Sequence, residues 1–234
     1  HMCNFQRLPD FAFFNDHFRE NAKKYLIGDM GASGSFKHAF ASSSVHFIHP
    51  AKFLNANQTI NYIECHDNGT FFDLVDSRFR EWPLENKLQL CALGYKTVLF
   101  SFGIPFIHMG QEIGQSKWGD ENTYNKGDAY NKFSYALLDA RLWMAKDFTE
   151  AVSFRKRQRA LHIYDPRVID RAVSISDCGN AIKADFISQE IIAPLSKLTL
   201  YLNPSDCAYE VPSSDEEDAE KIAINPRSAL IIEE

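Results

Sequence analysis

Cysteine is scarce in this 234-residue sequence, and no two cysteines form a C-x-x-C pair. The five present (Cys3, Cys65, Cys91, Cys178 and Cys207) are odd in number and far apart. That distribution speaks against a disulfide framework and against a structural zinc site, so free thiols are expected. Long apolar runs are also missing: none approaches the roughly 20 residues a membrane-spanning helix requires, and no membrane partner is expected. Concentrated positive charge is almost absent. The formal net charge is −6, and the one basic run is Arg155-Lys156-Arg157-Gln158-Arg159. It lies in a helix-like stretch and reads as a solvated face, so no nucleic-acid partner is expected. There is no repeat at a fixed period and no secretory signal. His1-Met2 reads as a cloning remnant, so the compartment, cytoplasmic or secreted, stays open.

What is present is apolar and aromatic. Hydrophobic residues make up 45% and aromatics 13%, including nineteen Phe, enough for one sizeable core and a smaller second one. Three short apolar strands share one design. Phe11 to Phe14 runs into Asn15-Asp16, and Ile60 to Glu64 into Cys65-His66-Asp67-Asn68. Ile104 to Ile107 follows Gly103 and runs into His108-Met109-Gly110-Gln111-Glu112. Each apolar strand ends in a polar cluster. Between the second and third, Leu84, Leu88, Cys91, Tyr95, Val98 and Phe102 recur at helical spacing and predict a helix with one face on a sheet. Strand, helix, strand implies parallel strands with helices outside. In closed parallel barrels catalytic groups gather at the C-terminal strand ends, where Asp16, Asp67 and Glu112 would sit. A complete barrel of this type closes with eight strands, whereas about three are visible here.

After residue 160 the pattern changes. Phe148 to Leu161 reads as a last amphipathic helix. Short β-rich runs follow at Ala172 to Ile175, Ala181 to Ile187, Leu198 to Leu202 and Ala229 to Ile232, with turn signals at Cys178-Gly179-Asn180 and Asn203-Pro204-Ser205. They predict a small antiparallel sandwich. The acidic stretch Ser213 to Glu217 reads as an exposed loop.

Three motifs carry the chemistry. Asn61 to Asn68, N-Y-I-E-C-H-D-N, ends a strand in His-Asp-Asn. These side chains suit hydrogen bonding to sugar hydroxyls and stabilisation of an oxocarbenium charge, and they equally suit a plain strand-ending turn. Gly103 to Glu112, G-I-P-F-I-H-M-G-Q-E, places His108 and Glu112 four apart. A metal pair on a helix would need such spacing, but this is a strand interrupted by Gly110, and a polar cluster bracing the strand ends is the better reading. Asn122 to Asn131, N-T-Y-N-K-G-D-A-Y-N, has the planar polar and aromatic side chains of a sugar site, and equally those of a polar connecting loop.

Together and in this order, the motifs resemble the α-amylase family of glycoside hydrolases, on its pullulanase-type debranching branch. F-F-N-D-H-F-R at Phe13 to Arg19 is similar to that branch's sixth barrel strand, the other two strand motifs to its seventh and eighth, and Asn122 to Asn131 to the following loop. The resemblance implies an α/β fold. Residues 3–160 would be the C-terminal portion of a (β/α)8 barrel, and 161–234 a small antiparallel β-sandwich domain. It implies retaining cleavage of α-1,6 branch linkages in pullulan, glycogen or limit dextrins, without cofactor or metal. Asp67 would be the carboxylate that stabilises the transition state, His66 would bind the glucose at the cleavage subsite, and Asn125, Asp128 and Asn131 would bind glucose on the non-reducing side. The sequence departs from the family at Lys132-Phe133-Ser134-Tyr135, where an Asp-Trp pair is usual, and at Gly69, where a bulkier residue is common. The family's nucleophile and general acid lie on its fourth and fifth strands, and neither motif occurs here. The expected partners are an α-glucan and either the remaining part of the barrel or a second copy of this chain. A non-catalytic α-glucan-binding or regulatory protein, or one subunit of a split barrel, is the alternative.

Overall fold

The structure, a computed structural model, describes residues 2–46, 49–195, 197–214 and 219–234, and of Met2 and Cys3 only the backbone. It is mixed α/β. In chain order the first part holds β1 (Phe13–Phe14), α1 (Asp16–Leu26), α2 (Ser33–Phe40), β2 (Thr59–Asn61), α3 (Phe71–Arg78), α4 (Leu84–Phe100), β3 (Ile104–Pro105), α5 (Asp128–Asn131), α6 (Tyr135–Ala140) and α7 (Leu142–Arg157). The strands pair in parallel, in the order β1-β2-β3, with Phe14 beside Ile60 and Ile60 beside Ile104. Each strand is shorter than the apolar run that marks it.

Helix starts follow ordinary capping chemistry. The Asn15 side chain accepts from Phe18 N at 3.1 Å, and the Thr70 side chain accepts from Asp73 N. Each satisfies an orphan donor of the first turn. On the helix side of the sheet the strands are tied by amides. Asn15 Nδ2 donates to Asn61 Oδ1 at 3.0 Å, and Asn61 Nδ2 donates to Phe102 O at 2.7 Å. Gly103 follows at φ 120°, and a Cβ there would lie 2.3 Å from Thr59 Oγ1, so only glycine fits. The opposite face carries Phe14, Tyr62 and Phe106 in edge-on contact, with Phe14 and Ile104 exposed.

α4 is buried on nearly all sides, beyond the single stripe expected. Leu90, Leu93 and Phe100 are enclosed along with Leu88, Cys91, Tyr95 and Val98, whereas Leu84 is exposed and Phe102 lies past the helix end. The reason is that α4 is wedged among α3, α7 and a second sheet.

The reading of Arg155 as part of a solvated face is wrong. Arg155 is 7% exposed, and its guanidinium donates to the carbonyls of Leu99, Ser101, Gly103 and Leu161. The last carbonyls of α4 lack intrahelical partners, and a cation reaching over from α7 supplies donors and opposes the negative end of the helix dipole. Burial pulls the guanidinium down to about 10, still charged at neutral pH.

The second part comprises α8 (Pro166–Ala172), β4 (Val173–Cys178), β5 (Ala181–Phe186), α9 (Gln189–Ile192), β6 (Leu198–Asn203), β7 (Tyr209–Pro212), β8 (Lys221–Ile224) and β9 (Ser228–Glu233). β4-β5-β6-β9 form an antiparallel sheet, and β7-β8 a separate hairpin. Alternation divides the sheet. Ile182, Ala184, Leu198, Leu200 and Leu202 join the large core of the first part, while Tyr201 and Ile232 face a small core with Val211 and Ile224 of the hairpin. Ser213 and Ser214 follow β7, and Asp215 to Glu217 lie outside the described residues. Cys65, Cys91, Cys178 and Cys207 are free thiols; the Cys3 side chain lies outside the described residues.

Two imidazoles, His17 and His38, link α1 and α2 to the segment that follows them. Asn21 Nδ2 donates to His17 Nδ1, which leaves His17 Nε2–H to donate to His38 Nδ1 and His38 Nε2–H to donate to Val45 O. That chain of donors needs both rings neutral. Burial, Lys52 and His49 lower both imidazoles to about 4. The folded values lie below the ordinary 6.5, so the unfolded chain binds these protons first as pH falls. Their contribution is complete above about pH 6.5 and is lost progressively toward pH 4. The thermal midpoint is therefore expected to fall already between about pH 6.5 and 5.5, above the range where most carboxylates titrate. A His17→Gln, His38→Gln double variant should flatten that decline; an equally steep decline in it would contradict the assignment.

Candidate active site

The second strand delivers the turn that carries Asp67. Glu64, three residues past its end, is 3% exposed and accepts from the Phe71 backbone at 2.6 Å and from His108 Nδ1 at 3.1 Å. A carboxylate at the start of α3 matches the positive end of that helix. The same carboxylate ties His108, beyond β3, to the turn. His108 thus pairs with Glu64; Glu112 instead accepts from the Gly110 backbone at 2.8 Å, which removes the metal-pair geometry. Asp16, beyond β1, accepts from the Tyr62 hydroxyl at 2.5 Å and sits 3.3 Å from Arg19.

Between Glu64 and Thr70 the chain projects His66 and Asp67 outward. Both side chains are exposed, with His66 Nε2 3.4 Å from Asp67 Oδ1. Asn68 follows at φ 66°, a left-handed conformation that Asn tolerates better than bulkier residues. A second network braces this turn. Asp73 accepts from the Thr70 hydroxyl, the Ser116 hydroxyl and the Lys117 backbone, and the buried Lys117 ammonium donates to His66 O at 3.3 Å. The sequence reading missed Lys117 and Asp73. The Thr70-x-x-Asp73 spacing, a capping-box pattern at the start of α3, was the available signal for Asp73.

The loop after β3 is closed at its base by Gln115, which donates to Lys132 O and accepts from Ser134 N, both at 2.9 Å. It meets the turn directly: Asp67 forms a β-bridge with Asn122, and Asn68 N donates to Glu121 O at 2.9 Å. Asn125 and Asp128 are exposed on this loop, Asp128 at the start of α5. Asn131 is engaged within it, accepting from the Thr123 hydroxyl and donating to the carbonyls of Thr123 and Lys126. Its amide clamps the loop, and its geometry is that of a positioning residue.

The sequence is 29% identical over 182 residues to the pullulanase of Bacillus subtilis (strain 168), across 73% of this chain and 25% of that protein. It is 27% identical over 183 residues to the glycogen debranching enzyme of Erwinia tasmaniensis, across 65% of this chain and 27% of that one. The chain therefore spans about a quarter of the length of these relatives. The fold matches the crystal structure of type I pullulanase from Bacillus subtilis str. 168 complexed with maltose. The TM-score is 0.90 at 23% identity, over 99% of this chain and 36% of that one. No family model matches the sequence.

Proposed function

We propose, from the kinship of this chain with the pullulanase-type debranching enzymes of the α-amylase family, that it supplies the C-terminal strands of an α-1,6-glucan-cleaving barrel. On this reading residues 3–160 form the barrel portion and 161–234 the sandwich domain. The observation that carries the proposal is the joining of His66-Asp67 to the Asn122–Asn131 loop by the Asp67–Asn122 bridge. A carboxylate and an imidazole that project from a braced turn, beside a loop presenting Asn125 and Asp128, can face one sugar and its neighbour together. Asp67 then stabilises the positive charge that grows on the sugar ring as the glycosidic bond breaks. His66 binds the hydroxyls of that ring, and Asn125 and Asp128 hold the next glucose. Asn131, as implied by the resemblance, belongs to the same subsite, and its bonds within the loop give it a supporting place there.

A retaining hydrolase also needs a carboxylate nucleophile and a general acid. Neither is assigned in this chain, so both come from another part of the barrel. The exposed Phe14 and Ile104 on the open face of β1-β2-β3 fit a surface that such a part, or a second copy, covers. The 234-residue chain alone is expected to release no reducing sugar from pullulan, glycogen or limit dextrin. Sustained release by the purified chain, with contaminating enzymes excluded, would overturn the division of labour.

A further inference from the structure

Trp118 is 76% exposed and adopts φ 59°, a left-handed backbone that a bulky side chain rarely takes. Such conformations persist only where the surroundings over-determine them, and they gather at ligand-binding sites. Here the surroundings are rigid. Trp118 N donates to Ser116 Oγ at 2.8 Å, Ser116 Oγ donates to Asp73 at 2.5 Å, and neighbouring Lys117 is bonded to Asp73 and to His66 O. The Trp118 backbone is thus fixed by the same network that braces the turn of Asp67, and its indole stands in solvent.

Two hollows flank α3 next to it. One, of about 580 Å³, is lined by Trp118, Phe72, Asp76, Ser116 and Arg141. The other, of about 440 Å³, begins at Asn68 and Thr70 and includes Lys23 and Glu121. They share Gly119 and the α3 residues Asp73 and Ser77, which stand as a rib between them; one hollow opens beside the indole and the other beside the turn that carries Asp67. Their linings mix acids, bases and hydroxyls, which suits a neutral polyhydroxylated chain better than a phosphate or another polyanion. A flat aromatic surface meets the C–H face of a sugar ring, while planar polar groups meet its hydroxyl edge.

We infer that Trp118 is a stacking platform for an α-1,4-linked glucan chain lying over the hollow beside it, an outer subsite remote from the bond that is cut. The inference rests on the reading that Asp67 faces a sugar. Titration calorimetry of this chain with maltohexaose and with maltose tests it. On this reading maltohexaose engages both the platform and the positions beside Asp67, and maltose only the latter. Trp118→Ala is expected to weaken maltohexaose binding about tenfold and leave maltose binding unchanged, with Trp118→Phe losing much less. Unchanged maltohexaose affinity in Trp118→Ala would overturn the platform and leave the active-site reading standing. Equal losses for the two sugars, or an equal loss in the Phe variant, would assign the indole a structural role instead. Failure of the wild-type chain to bind maltohexaose would overturn both.

Discussion

Replacing Asp67 with Asn, in a protein where this chain is joined to the rest of the barrel, is expected to lower kcat and kcat/KM together by about 10²-fold or more. The carboxylate faces a ring whose positive charge appears only as the bond breaks. An interaction realised in the transition state lowers the barrier and leaves ground-state binding almost untouched. Asn keeps the shape and removes the charge. Nothing in the fold requires that charge: the Asp67 carboxylate is exposed, and the Asp67–Asn122 bridge runs through the backbone. Asp128→Ala should behave differently, raising KM with kcat nearly constant, because a neighbouring glucose is held alike in both states. Near-normal kcat in Asp67→Asn would make the residue a strand-ending turn and nothing more.

The largest expected effect on stability belongs to Arg155. Arg155→Met keeps an apolar stem of similar length but leaves the carbonyls of Leu99, Ser101, Gly103 and Leu161 without the donor that joins them. Buried acceptors left unsatisfied cost about 1–3 kcal/mol each, offset by the relief of desolvating a cation. A net loss of about 3 kcal/mol is expected, which in a protein of this size lowers the thermal midpoint by roughly 6 to 12 °C. Arg155→Lys, with fewer donors in a different geometry, should fall between. Circular dichroism melting of the three proteins decides this. A shift below 2 °C in Arg155→Met would mean that water takes over the role of the guanidinium.

Much of the fold was legible because periodicity reports which face of an element is covered. Phe13–Phe14, Thr59–Asn61 and Ile104–Pro105 pair in parallel as the strand-helix-strand spacing predicts. The runs at residues 172–175, 181–187, 198–202 and 229–232 become β4, β5, β6 and β9. Tyr209–Pro212 and Lys221–Ile224 escaped, since only Val211 and Ile224 of that hairpin are buried and so short an apolar signal does not stand out. Arg155 escaped for another reason. A basic run on a helix says nothing about carbonyls waiting at the end of a different helix. The site divides in the same way. His66 and Asp67 show themselves in a local motif, whereas the brace formed by Lys117, Asp73 and Glu64 depends on contacts across up to 51 residues of sequence.

The most direct test of the account is complementation. Reducing-sugar release from pullulan is measured for this chain alone, and then after mixing with a polypeptide carrying the barrel portion that bears the nucleophile and general acid. Neither piece alone is expected to hydrolyse pullulan; mixing is expected to give activity, and Asp67→Asn in this chain to abolish it. Hydrolysis by the chain alone, or a mixture whose activity is indifferent to Asp67→Asn, would contradict the proposed function.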